Sequence, residues 1–308
     1  MLYGGDAGAH AVELAYHSAE AQTVLGTEKL VRYSLVAGQR SLATYAWEDA
    51  LVHFQRGLEA RGVPSSGDEP AKDSEAAGLI FGVARAQIAT LTVYQLKEAT
   101  TTLTRAFDYY AEAGDVEQAV AVAECPIPAA AGYCTGMPQL IARALELVPP
   151  TSLPAARLLS LYGRLMLLEE SVYQAAQEAV GKALDIARQE GDAALELRAL
   201  VDASEVAIYH ANYDDAAELG ERAIALTTET DDLLFQALAH YHASISLFVL
   251  GESDKVSRYA AAGGAAAERL RHPFYLDRLL FISATLARAY GNWQAAREFS
   301  DRGFVGSP

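Results

Sequence analysis

The chain has 308 residues, 51% of them apolar and 21% charged, which supplies the side-chain area for a packed interior and excludes a chain disordered throughout. A formal net charge of -16 at pH 7 has the wrong sign for a surface that neutralises phosphates, so no direct nucleic-acid contact is expected and the acidity reads as solvated helix faces. The two cysteines, Cys125 and Cys134, match no short zinc or haem spacing and read as structural thiols, with no metal and no cofactor implied.

Residues 1–28 have neither the basic start nor the apolar core of a signal peptide and are expected to form a helix or linker leading into an array over 29–308. No stretch reaches the roughly 18 uninterrupted apolar residues of a membrane span. The Leu-rich run from Leu158 to Leu168 is broken by Arg164, so a cytoplasmic protein without a membrane contact is expected.

In chain order the array begins with 29–61, where Trp47, Ala50, Phe54 and Gly57 fall three, four and seven places apart. Those offsets return to one face of a 3.6-residue spiral. Gly62 to Asp73 concentrates Gly, Pro, Ser and charge and predicts a surface loop. The template recurs in 74–113 through Ala99, Leu103 and Ala106, and in 115–148 through Met137, Ile141 and Ala144. Pro126, Pro128, Gly132, Gly136 and Pro138 predict short or irregular helices and a kink in that third unit.

The last four units, 154–190, 193–229, 232–271 and 273–305, keep the strictest phase. Their anchors are Ala176, Ala216, Val256 and Ala296, 40 residues apart. The trailing partners are Ala183, Ala223, Gly263 and Gly303, and the leading positions hold Tyr173, Tyr213, Ser253 and Trp293. A second helix precedes each anchor helix, running from Leu195 to His210, Leu234 to Leu250 and Tyr275 to Tyr290 in the last three units. Breaks at Gly114-Asp115, Gly191-Asp192, Thr230-Asp231 and His272-Pro273 supply caps for the following helices. Small residues at Ala199, Ala239, Ala203 and Ala243 let neighbouring helices approach. The sequence therefore predicts an all-α, right-handed α-α superhelical solenoid of about seven antiparallel pairs, about fourteen helices, stabilised by interfaces between neighbours. The chain ends at Phe304 to Pro308 without a polar capping helix, which predicts an apolar outer side on the last pair.

The segment LVRYSLVAGQRSLATYAWEDALVHFQRGLEA, Leu30 to Ala60, resembles the first full tetratricopeptide-like unit of bacterial LuxR-type, MalT-like regulators and related cyclase-linked signalling proteins. FDYYAEAGDVEQAVAVAE, Phe107 to Glu124, with its Pro-rich continuation, resembles the same family, and residues 1 to 23 resemble the linker into the array. Of the usual signature in the leading helix only Gly38 is plainly present. The 40-residue period exceeds the standard repeat of about 34, as in the longer MalT-like units. In that family an ATPase module of the STAND type precedes the array and a DNA-binding helix-turn-helix commonly follows it. Both would lie outside this sequence, so the resemblance implies a sensor or regulatory array that binds a protein, a peptide or a small effector, with the output elsewhere.

Other chemistry reads more weakly. Gly62 to Gly67 has the glycine spacing of a phosphate loop but runs into Asp68-Glu69, which repels phosphate. His240 and His242 are two apart and point to different helix faces, whereas helix ligands sit three or four apart. Ser244 has no nucleophile turn around it. The Cys125/Cys134 pair has no nearby cation in sequence to activate a thiol.

The 40-residue period aligns three rows across the last leading helices: Arg198, Leu238 and Arg278; Val201, Tyr241 and Phe281; Ile208, Phe248 and Arg288; with Glu205 and Tyr209 extending the first. In tetratricopeptide-like superhelices, as the resemblance implies, the leading helices line the concave side. A partner groove built from Arg198, Glu205, Tyr209, Tyr241, Phe248, Arg278, Phe281 and Arg288 would offer aromatic area and Arg donors for carboxylate or phosphate. The competing reading is that the aromatics only pack between helices. Three functions stand at this point: a non-catalytic sensor segment of a signalling or transcriptional regulator, a free-standing adaptor holding a peptide or helix, and a helical enzyme with an unrecognised site.

Overall fold

The computed structural model describes residues 27–304, so residues 1–26 of the expected N-terminal linker and the tail after Phe304 lie outside the described residues. Among the described residues there are fourteen α-helices, one short 3-10 turn and no strand. Contacts divide the chain into two compact units, Met1–Ile127 and Pro128–Pro308.

In the first unit α1 (Thr27–Ala43), α2 (Trp47–Ala60), α3 (Ser74–Thr90), α4 (Leu96–Glu112) and α5 (Val116–Ala123) pack consecutively, and α1 also meets α3. Gly38 on α1 and Gly82 on α3 hold Phe54 of α2 between them. A Cβ at either glycine would come within 2.5 or 2.4 Å of the fully buried ring. The one recognisable repeat-signature residue is thus explained by space for an aromatic knob. The 61–73 connection is a loop, fastened by Arg105, whose Nε donates to the Glu69 carbonyl at 2.7 Å and whose Nη2 donates to that of Pro64 at 2.9 Å. The unit expected over 115–148 holds only short helices: α5 has 8 residues and the next helix 9, separated by non-helical chain from Glu124 to Gly136, as its prolines and glycines dictate.

The second unit continues with α6 (Met137–Leu145), α7 (Leu153–Glu170), α8 (Tyr173–Glu190), α9 (Ala193–Tyr209), α10 (Tyr213–Leu226), α11 (Leu233–Leu250), α12 (Ser253–Leu270), α13 (Pro273–Ala289) and α14 (Trp293–Phe304). The leading helices α7, α9, α11 and α13 lie side by side. Each of the trailing helices α8, α10 and α12 wedges between its own leading helix and the next. Asp192 and Ser152 cap α9 and α7, accepting from Leu195 N at 2.9 Å and Ala155 N at 3.3 Å. The cap of α11 is Asp232, accepting from Phe235 N at 3.3 Å, one residue after the aspartate expected from the sequence. Arg198 on the neighbouring α9 favours a carboxylate at that place, since its Nη2 reaches Asp232 Oδ2 at 3.1 Å.

The 40-residue phase is visible in burial and in backbone. Ala176, Ala216 and Val256 are wholly buried and Ala296 is 6% exposed, all at the same place on their helices. The hairpin turns pass through left-handed residues at Ser171, Ala211, Gly251 and Gly291, with φ of 57°, 58°, 85° and 72°. Because helices must close at a fixed distance from the anchor, the same backbone turn recurs whatever residue occupies it.

One helix departs from the sequence reading. Among the described residues α11 is long and apolar enough, by length and composition, to cross a membrane. Its neighbours give the physical reason, for it packs against α9, α10, α12 and α13 and is covered on several sides.

Candidate functional site

The polar groups of the second unit converge where α7, α9, α11 and α13 meet. Arg164 projects from the apolar run of α7 because Asp202 and Glu205, one turn apart on α9, face it. Its Nε lies 3.3 Å from Asp202 Oδ1 and its Nη1 3.7 Å from Glu205 Oε2. Ser160, one turn before Arg164, donates to Asp202 Oδ2 at 2.6 Å. From α11, His242 is 1% exposed. Its Nδ1 contacts the Val201 carbonyl at 3.1 Å, while its Nε2, 3.9 Å from Glu205 Oε1, has no hydrogen-bond partner among the described residues.

Arg278 of α13 completes the cluster. Its Nη1 donates to the Tyr241 hydroxyl at 3.2 Å and its Nη2 to the Ala129 carbonyl at 3.4 Å, and its guanidinium lies over Phe274, 4.6 Å from the ring centre. Ala129, Arg164, Glu205, Tyr241, His242 and Arg278 line a small cavity together with Leu238, Phe274 and Tyr275. It leaves about 10 Å³ for the centre of a water molecule, room for one water and no organic ligand.

Burial is the largest influence on the charges here. It pushes the Asp202 carboxyl up to about 6 against the pull of Arg164. For Arg164 burial works toward neutrality, but Glu205 and Asp202 together outweigh it and hold the guanidinium charged. Burial lowers His242 despite Glu205, so the ring is held neutral, and it raises Tyr275 to about 12. Burial likewise raises Tyr241 and Tyr209, and Arg278 opposes both shifts.

Of the residues expected from the sequence, the structure brings Glu205, Tyr241, Arg278 and the half-exposed Tyr209 to this cluster. Arg198 stands beside it, paired with Asp232 and lying 5.0 Å over the Phe235 ring. The rest go elsewhere. Phe248 packs against the core shared by α11, α12 and α13; Phe281 is 61% exposed; Arg288 is exposed and donates to Thr285 on its own helix. Arg164, Asp202, His242, Phe274 and Tyr275 were not among the residues expected to build the groove. The available signal was the lone Arg164 within leucines and the Asp202/His242 pair, 40 residues apart.

The other candidates do not line this cavity. His240 faces Tyr259, with ring centres 5.7 Å apart, away from His242. Cys125 is buried, which pushes its thiol up to about 11. Arg85 is near enough to oppose this, a cation that the sequence neighbourhood did not reveal. Ser244 is wholly buried. A wider, open depression of about 400 Å³ in the first unit is lined by Ser66, Gly67, Asp68, Gln87, Glu98, Thr101 and Thr102, with neither a cation nor an aromatic ring. Volume alone would favour it, but it lacks the convergent charged groups and aromatic faces of the smaller cleft.

No protein-family model matches the sequence, and no curated protein matches it in sequence. Solved structures do match in fold. A Rap protein complexed with competence and sporulation factor is 15% identical with a TM-score of 0.60, covering 94% of this chain and 78% of its own. The apo form of RapI is 13% identical with a TM-score of 0.57, covering 90% of this chain and 97% of its own. A STAND protein with a tetratricopeptide repeat sensor from Pyrococcus horikoshii is 12% identical with a TM-score of 0.49, covering 98% of this chain and 46% of its own. The chain is an all-helical repeat protein similar in fold to these Rap structures.

Proposed function

We propose that this chain is a non-catalytic recognition array whose leading-helix groove, centred on Arg278, Tyr241 and Tyr209, holds an extended segment of a partner protein or a peptide. The observation that carries the reading is Arg278 itself. A largely covered guanidinium lies on aromatic faces and donates, among the described residues, to neutral acceptors only, with Glu205 near enough to favour its charge. Such a group is suited to a ligand carboxylate. The likeness in fold to a Rap protein complexed with competence and sporulation factor supports the same use of the array. The cavity beneath has room for one water, which favours a chain laid along the groove over a small effector enclosed in it.

In its finer form the proposal is that the array is the sensor or regulatory segment of a bacterial LuxR-type, MalT-like signalling protein in the cytoplasm. The ATPase and DNA-binding modules would then lie outside this sequence. A free-standing adaptor with the same groove is the second reading, supported by the same residues.

The test is selection of binders from a random displayed-peptide library on the full chain, followed by titration of the best peptide. Arg278→Met and Tyr209→Ala are expected to weaken it by about tenfold or more, the loss of one charge-assisted or aromatic anchor, with helical circular dichroism unchanged. Wild-type affinity in both variants would contradict the groove.

A further inference from the structure

The non-helical chain of residues 128–136 lies against the leading helices of its own unit. Gly132 N donates to the Leu168 carbonyl at 2.9 Å, and Thr135 N and Oγ1 donate to the Glu169 carboxylate at 2.8 and 2.6 Å. Before that anchorage, Ala129 is 3% exposed, lines the cleft, and places its carbonyl on Arg278, 149 positions away. A short stretch of small residues and proline, Pro128 to Ala131, therefore already lies over the groove.

Its hold on Arg278 is weak in kind. The bond is long, at 3.4 Å, and the acceptor is neutral. Among the described residues no carboxylate comes within ion-pairing distance of Arg278, whereas Arg164 beside it has two. Charge-assisted bonds are roughly twice as strong as neutral ones.

The geometry points to residues 128–131 as a built-in occupant of the groove, replaced by a partner peptide of the same character. That peptide is extended, built of small or prolyl residues, and ends in a carboxylate that takes the place of the Ala129 carbonyl on Arg278. This rests on the groove reading above and adds the ligand's chemistry and its competitor. Tethered at both ends, the chain's own segment competes at an effective concentration on the order of millimolar, and the apparent affinity of a free peptide falls with the small open fraction.

The probe is the tetrapeptide Ala-Ala-Pro-Ala, small and prolyl and ending as Pro128-Ala129 does, fluorescently labelled at its N-terminus, as the free acid and as the C-terminal amide. Each is titrated into the full chain as wild type, as Ala129→Arg, whose added cation repels Arg278 and lifts the segment, and as Ala129→Arg with Arg278→Met. The acid is expected to bind Ala129→Arg about tenfold or more tighter than wild type, and about tenfold or more tighter than the amide does. Both preferences should vanish with Arg278→Met. Should Ala129→Arg not fold, wild type answers alone: millimolar acid peptide, but not the amide, is expected to speed amide exchange at Gly132 by about tenfold as its bond to Leu168 opens. Unchanged Gly132 exchange, or equal binding of acid and amide, overturns the proposal. A library-selected peptide that needs Arg278 yet binds wild type and Ala129→Arg equally would remove the built-in occupant and leave the groove reading intact. Peptides indifferent to Arg278 would remove both.

Discussion

Arg164 on α7 and Asp202 on α9 meet at 3.3 Å with both side chains less than a tenth exposed, so two successive repeat units are joined by a buried ion pair. Removing the cation strands two carboxylates, Asp202 and Glu205. Arg164→Met is expected to cost about 3–5 kcal/mol in urea unfolding. Asp202→Asn should cost less, because Glu205 still neutralises Arg164. Equal losses for the two variants would mean that the pair acts alone, without Glu205.

The recurring left-handed turn makes a second prediction. Ala211 has φ of 58° where the next two units carry Gly251 and Gly291. Ala211→Gly is expected to stabilise the fold by roughly 0.5–1 kcal/mol, and Gly251→Ala to destabilise it by about as much or more. A thermal melt reads both. A loss on Ala211→Gly would show that the Ala211 side chain contributes more than its backbone conformation costs.

Glycine also sets helix spacing. Gly82→Ala is expected to cost about 1–3 kcal/mol, since the new Cβ would stand 2.4 Å from the buried Phe54 ring. Gly181, exposed in α8 with nothing near its Cβ position, is the control: Gly181→Ala should stabilise by about 0.5–1 kcal/mol. Denaturant unfolding of the two proteins distinguishes close packing from helix propensity.

His272, at the N-cap of α13, is 7% exposed, and burial lowers its pKa to about 4. The unfolded chain therefore binds a proton on this group at higher pH than the folded chain does. Its contribution to stability is fully present above about pH 6.5 and is lost as pH falls toward 4, an amount on the order of 3 kcal/mol. Asp202, raised to about 6, slopes the opposite way, so the informative quantity is the difference between wild type and His272→Gln. That difference should change across pH 4 to 6.5 and be flat above it. A constant difference would show that His272 titrates alike in both states.

The repeat was legible because its anchors are small residues at a fixed phase. Ala176, Ala216 and Val256 are buried where the period put them, and Ala211, Gly251 and Gly291 share one turn. The polar cluster was harder to read. On α9 the four successive residues Ala199, Leu200, Val201 and Asp202 are all buried, because α7, α8, α10 and α11 surround that helix. When every side of a helix is covered, its 3.6-residue period no longer marks which polar residue points inward. The same limit explains why the row through Val201, Tyr241 and Phe281 runs from wholly buried to 61% exposed. Period fixes the place on a helix, while burial depends on the neighbours, and α13 has no leading helix beyond it among the described residues.

The central claim, recognition on the leading helices, is tested most directly by hydrogen exchange of the full chain with and without a peptide selected from the displayed library. Bound peptide is expected to slow exchange in α9, α11 and α13 around Glu205, Tyr241 and Arg278, with the trailing helices α10 and α12 unchanged. Protection confined to the trailing helices, or to α1 through α5, would contradict the account.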